Sequence, residues 1–188
     1  MRLFVALDLP DAVHKFIREL IDVELRPLCK SARWVRPDGM HITLKFIGHV
    51  EAEKLAPIRA ALASVHSSAP VEMSFRGLGF FPTERRPRVL WYGVEASPNL
   101  APLAADIERG LEPLGIEREN RKFVPHLTLA RFESPRGLEK LVRKAEELSS
   151  LDPLTTREMQ FHLYESTLKH AGAEYRKIES FSFVKGAA

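Results

Sequence analysis

The chain has 188 residues, 45% of them apolar and 28% charged, with a net charge of +3. That length suits one domain, or two small lobes sharing a cleft, and the composition suits a chain that buries a real core. No apolar run reaches the length of a membrane span, and the single cysteine, Cys29, excludes an internal disulfide or a cysteine-rich metal site.

Residues Arg2 to Leu7 read as a strand. Asp8 arrives too early for a signal peptide and no small-residue cleavage site follows, so a cytoplasmic protein is expected. Asp8-Leu9-Pro10-Asp11 reads as a helix start with proline in the first turn. Val13, Phe16, Ile17, Leu20, Ile21 and Leu28 continue at helical spacing, which predicts one amphipathic helix ending near Pro27. Arg33 to Val35 fits a short strand, and Pro37-Asp38-Gly39 a turn.

A strand is then expected from Met40 to Ile47, carrying the motif His41-Ile42-Thr43-Leu44. Side chains alternate along a strand, so His41 and Thr43 share one face while Ile42 and Leu44 seek the core. A helix should cover Glu51 to about Val65, followed by a strand through Val71, Met73 and Phe75 into Gly77-Leu78-Gly79. That Gly-x-Gly lacks the rest of a phosphate-binding fingerprint and reads as a bulge or a tight crossing. A strand from Arg88 to Glu95 comes next, then a helix with Ser97 as N-cap, Pro98 at its first position and Gly115 closing it.

The motif returns as His126-Leu127-Thr128-Leu129, 85 positions after the first, in a strand expected over Lys122 to Arg131. A short helix with Leu138, Leu141, Val142, Ala145 and Leu148 inward follows it. The chain closes with strands at about Met159 to Leu168 and Tyr175 to Phe183, joined around His170-Ala171-Gly172. This order argues α+β with antiparallel pairing rather than a doubly wound parallel sheet. A helix before and after each motif suggests duplication, and equivalent strands meeting across a pseudo-two-fold axis would bring two imidazoles and two hydroxyls to one cleft. Groups with ordinary pKa values near 6.5 suit paired proton transfer at neutral pH.

Basic residues gather at Lys30, Arg33 and Arg36, at Arg85, Arg86 and Arg88, and at Arg118, Arg121 and Lys122. Solvated loops commonly carry such charges, but three clusters near one cleft also fit an anionic partner, with phosphate the first candidate. No Asp, Glu or Cys cluster completes a metal site around His41 and His126, and no serine sits in a nucleophile elbow. His14, His49, His66, His162 and His170 fall on expected surfaces, strand ends or loops and receive no chemistry.

The two His-x-Thr-x motifs, the opening Arg-Leu-Phe-Val-Ala-Leu-Asp-Leu-Pro and the full His-Ile-Thr-Leu-Lys-Phe-Ile-Gly resemble the two-histidine phosphoesterase superfamily. Within it, the chain looks like the RNA 2′,3′-cyclic phosphodiesterases once called 2′-5′ RNA ligases. The resemblance implies one domain over residues 1–188 made of two interleaved, pseudo-symmetric lobes, each an antiparallel sheet with outer helices, around a central cleft. It implies metal-independent opening of a terminal cyclic phosphate to a 2′-phosphate, with no cofactor. The partner would be RNA bearing that end, such as tRNA halves or other fragments, and the protein would act as a monomer. By position, His41 would donate a proton to the departing 3′-oxygen and His126 would activate water. Thr43, Thr128 and Arg131 would hold the phosphate. Reverse 2′-5′ ligation is secondary, since abundant water favours ring opening.

Strict alternation places Phe46 and Arg131, each five residues after its histidine, on the wrong face, unless a bulge re-aims them. Phe46 otherwise fits core packing, ahead of stacking on a nucleobase. Lys45 has the parity to face the cleft and touch substrate, and equally fits a solvated lysine. Two other functions fit the same features: a non-catalytic RNA-end binder, and a phosphodiesterase of small cyclic nucleotides.

Overall fold

The computed structural model describes residues 1–36, 39–148, 153–169 and 172–184. The expected turns at Pro37-Asp38-Gly39 and His170-Ala171-Gly172 fall partly outside them. Two antiparallel sheets form the framework. The first, in spatial order, contains β3 (Ile42–His49), β1 (Arg2–Leu7), β8 (Gln160–Lys169) and β9 (Gly172–Ser182). The second contains β2 (Arg33–Trp34), β6 (His126–Arg131), β5 (Val89–Ala96), β4 (Val71–Phe81) and β7 (Leu154–Glu158). The expected α+β class with two lobes is therefore observed. β1 is buried from Leu3 to Leu7, as suits a strand flanked by neighbours on both sides.

Helices α2 (Leu55–Ala63) and α3 (Leu100–Leu111) pack on each other, α2 also touching β9 and α3 touching β3. Helix α4 (Glu139–Leu148) packs on β4 and on residues 20–25. So α3 leaves a strand of the second sheet and covers a strand of the first. No helix of the described residues is long and apolar enough to cross a membrane.

Several boundaries differ from expectation. The predicted first helix is α-helical only over Asp11–Glu19 (α1), widens to a π-helix over Leu20–Leu25 and tightens to 3₁₀ over Arg26–Leu28. Pro27 lacks an N–H and its ring would strike the carbonyl four residues back, so regular winding cannot pass through it. Pro10 occupies the N-cap position rather than the first turn. Helix α3 begins at Leu100, because the Ser97 hydroxyl is engaged with the Glu72 N–H and Asn99 Oδ1 instead of capping. Strand β7 was not expected: its sequence, Leu-Thr-Thr-Arg-Glu, has no apolar alternation. Gly77 carries a bulge at φ 69°, and Gly79 lets Trp91 cross close by, where a Cβ would stand 2.2 Å from the ring.

The two motif strands share one irregularity. Along β1 and β3 the partners run Ala6 with Thr43, Val5 with Lys45 and Phe4 with Phe46, so Leu44 is an extra residue. Along β5 and β6 they run Trp91 with Thr128, Leu90 with Ala130 and Val89 with Arg131, so Leu129 is extra. Adjacent residues of the regular partner strand face opposite ways, so each bulge reverses the alternation after it. Phe46 therefore joins Thr43, and Arg131 joins Thr128. Phe46 is 61% exposed rather than core.

The bulge turns Lys45 to the face opposite Thr43, contrary to its simple parity, where it still borders the cavity beside Glu108 of α3. It is buried, with Nζ donating to Glu108 of α3 at 2.6 Å and to the Glu117 carbonyl at 2.5 Å. Removing one partner of a buried ion pair leaves an uncompensated charge, at a cost of about 3–5 kcal/mol. Glu108→Ala should therefore lower urea stability by about that amount. Lys45→Met should cost less, because it leaves a carboxylate that is less deeply buried.

Candidate active site

His41 lies just before β3, and His126 opens β6. In each, ring Nδ1 sits 2.8 Å from the carbonyl oxygen two residues upstream, Gly39 for His41 and Val124 for His126. A carbonyl can only accept, so the neutral ring carries its proton on Nδ1 and keeps Nε2 free. The same short backbone brace thus sets the tautomer twice.

Their surroundings differ. Phe4 lies 4.6 Å from the His41 ring centre, Tyr175 stands edge-on at 5.1 Å, and Tyr164 stacks at 6.3 Å. Burial among these rings pulls the His41 pKa down to about 4, against the opposing pull of the Gly39 carbonyl and the Asp8 carboxylate. Tyr175 also rests on Gly39, where an added Cβ would come within 2.9 Å of the ring. Among the described residues, the ring contact of His126 is with Phe81, nearly perpendicular to it at 5.0 Å.

A cavity of about 1510 Å³ opens beside these strands. Thr43 and Phe46 of β3 line it together with His126, Thr128 and Arg131 of β6. His41 is not part of that lining; it stands on the Thr43 side, where Phe4 touches both its ring and that of Phe46. Arg88, Arg118, Arg121 and Lys122 line the same cavity. Lys30 and Arg36 belong to a separate groove beside Trp34, and Arg33 is paired with Glu133.

Sequence reasoning missed the network behind His41. Asp8 accepts from the Tyr164 hydroxyl and from Lys177 Nζ, and lies 3.4 Å from His162 Nε2. Burial works to raise the Asp8 carboxyl, but the bonds from Lys177 and Tyr164 and the nearby positive groups hold it below its ordinary value. His162, expected at a surface or strand end, is buried and bonded to Ser180 Oγ at 2.9 Å. Burial lowers its pKa. Its alternation with Tyr164 was the available signal; what lay beside that face was not. Among the described residues, no group of three or more His, Cys, Asp or Glu is placed to hold a metal ion.

Known proteins resemble this chain in sequence and in fold. The family model for LigT-like phosphoesterases matches residues 9–91 and 94–175, so each stretch contains one His-x-Thr motif. An RNA 2′,3′-cyclic phosphodiesterase of Archaeoglobus fulgidus is 35% identical over 182 residues, spanning 96% of this chain and 99% of its own. That of Methanothermobacter thermautotrophicus is 32% identical over 182 residues, spanning 96% and 98%. TT0787 of Thermus thermophilus has a similar structure, with TM-score 0.80 and 30% identity over 97% of this chain and 98% of that one. E. coli LigT complexed with 3′-AMP gives TM-score 0.75 and 25% identity, covering 98% of each. The chain belongs to the LigT-like phosphoesterase family.

Proposed function

We propose that this protein opens the 2′,3′-cyclic phosphate at the end of an RNA, leaving a 2′-phosphate, by acid–base catalysis that needs no metal. The observation that carries this reading is the pair of histidines, one per matched stretch, each braced through Nδ1 so that Nε2 can move a proton. The names of the relatives supply the substrate class.

In-line displacement at phosphorus places the attacking water and the departing 3′-oxygen on opposite sides. His126 takes the proton of the water as its oxygen bonds to phosphorus. His41 gives a proton to the 3′-oxygen as the P–O3′ bond breaks, and the phosphate stays on O2′. Thr43, Thr128 and Arg131 offer donors to the non-bridging oxygens, where they stabilise the charge of the transition state. Ligation of a cyclic end to a 5′-hydroxyl runs in the same direction with that hydroxyl in place of water: P–O5′ forms, P–O3′ breaks, and the same two groups take and give the proton.

The enclosure of His41 favours a second assignment. A ring held near pKa 4 is neutral at pH 7, the state a proton acceptor needs, so the two histidines exchange roles in this reading. A phosphodiester with an aryl leaving group decides between them, because a good leaving group needs no acid. If His41 is the acid, the aryl ester restores turnover to His41→Ala and not to His126→Ala; the exchanged roles give the opposite result.

On an RNA with a cyclic end, with chelator present, His41→Ala and His126→Ala should each lower kcat by roughly 10²–10⁴-fold. Thr43→Ala and Thr128→Ala should each cost about 1.5–3 kcal/mol of transition-state binding, the worth of a hydrogen bond to a charged group. An unchanged RNA end, or strict dependence on added metal, would count against the proposal.

Activity in either assignment requires one proton on the pair, so protonating the neutral His41 ring in acid removes it. The log kcat/KM profile should fall below about pH 4, and that limb should vanish in His41→Ala.

A further inference from the structure

One face of the first sheet carries a row of side chains that ends at the His41 loop. Phe46, Phe4, Tyr164 and Lys177 are successive cross-strand partners on β3, β1, β8 and β9. Phe4 stacks on Tyr164 at 5.2 Å and 13°, and Lys177 Nζ stands 5.8 Å from the Tyr164 ring centre. Tyr175 precedes Lys177 by two residues in unbroken register with β8, so it projects from the same face. In the sheet β9 is three places from β3, yet the Tyr175 ring meets residues just before β3. The segment from Gly39 to His41 therefore folds back over this face.

Tyr175 touches both ends of the His41 brace. A Cβ on Gly39 would stand 2.9 Å from its Cε2 and 3.1 Å from its Cδ2, so a side chain at position 39 would displace the ring. The same ring stands edge-on to His41, centres 5.1 Å apart at 89°. Gly39 and His41 are joined by the 2.8 Å bond from Nδ1–H to the Gly39 carbonyl. Phe4 backs the tyrosine edge-on at 5.2 Å. At the second motif the residue that accepts from His126 is Val124, which is 48% exposed. The two braces match in their bond and differ in what bears on them.

We infer that Tyr175 is a positioning residue for His41: its ring clamps Gly39 so that the carbonyl keeps hold of Nδ1–H and Nε2 keeps its aim. The inference rests on the catalytic reading of His41 above and adds the residue that orients it. The contacts with Gly39 run through ring carbons, so the device needs the ring rather than the hydroxyl. Burial is the largest influence on the His41 pKa and lowers it, against the Gly39 carbonyl and the Asp8 carboxylate. Removing the Tyr175 ring admits water to His41, and the relief of burial outweighs a weakened brace, so the pKa rises. Asp8, His162 and Lys177 beside this face are unchanged in every variant below.

On an RNA with a cyclic end, Tyr175→Ala should lower kcat by about tenfold to a hundredfold, as misplacement of a reacting group does. Its acid limb in log kcat/KM should move up from about pH 4 toward 6.5. Tyr175 is 37% exposed, so the fold should survive the change, and Tyr175→Phe, which keeps the ring, should restore both readouts. Gly39→Ala should also lose activity, because its Cβ displaces the ring. In the double variant Gly39→Ala, Tyr175→Ala the loss should be no greater than in Tyr175→Ala alone, since the two changes disturb one contact. Additive losses, or a Tyr175→Ala enzyme with wild-type kcat and acid limb, overturn the inference and leave the catalytic roles standing. An NMR titration of the His41 ring protons decides the clamp without turnover. A midpoint that rises in Tyr175→Ala and returns in Tyr175→Phe supports it, and equal midpoints in all three proteins overturn it. If no cyclic end is opened while the midpoint still moves, the catalytic reading alone has failed.

Discussion

Leu44 and Leu129 each add one residue to a strand, and which side chains stand on the face of Thr43 and Thr128 depends on that addition. Without the bulges, Lys45 and Ala130 would share the face of the motif threonines, while Phe46 and Arg131 would point toward the helices. With them, an arginine and an exposed aromatic ring reach the cavity. The residue displaced in the first strand is not wasted, since Lys45 ties β3 to α3 through Glu108. One backbone irregularity thus turns a side chain to the cavity on one face and, in the first strand, makes a contact with α3 on the other.

The halves are alike in backbone and unlike in environment. Both histidines donate Nδ1–H to a carbonyl two residues back, a local device that any copy of the motif can reproduce. The packing around each ring is not local. Strands β1, β8 and β9 bring Phe4, Tyr164 and Tyr175 to His41, whereas among the described residues the ring beside His126 is that of Phe81. A duplicated motif can therefore set two imidazoles in different surroundings, and burial lowers the pKa of the His41 ring.

Much of this was legible in the chain itself. The repeated His-x-Thr, the alternating apolar positions and the turn residues located both motif strands and the α+β class. The conflict at Phe46 and Arg131 was visible as well, because five residues is an odd step along a strand. Resolving it required the register with β1 and β5, which no single strand encodes. The π-helical stretch after Glu19 escaped because Leu20, Ile21 and Leu25 keep a nearly helical spacing. The aromatic box and the Asp8 network escaped because their members lie up to 169 positions apart and meet only when the terminal strands pair.

The most direct measurement is a crystal structure with a nucleoside 2′-phosphate in the cavity. The account predicts Nε2 of His41 and Nε2 of His126 on opposite sides of one phosphorus, each at hydrogen-bonding distance from an oxygen bound to it, roughly 2.7–3.2 Å. A phosphate held by His126, Thr128 and Arg131 alone, with the His41 ring still closed in by Phe4, Tyr164 and Tyr175 and out of reach, would contradict it.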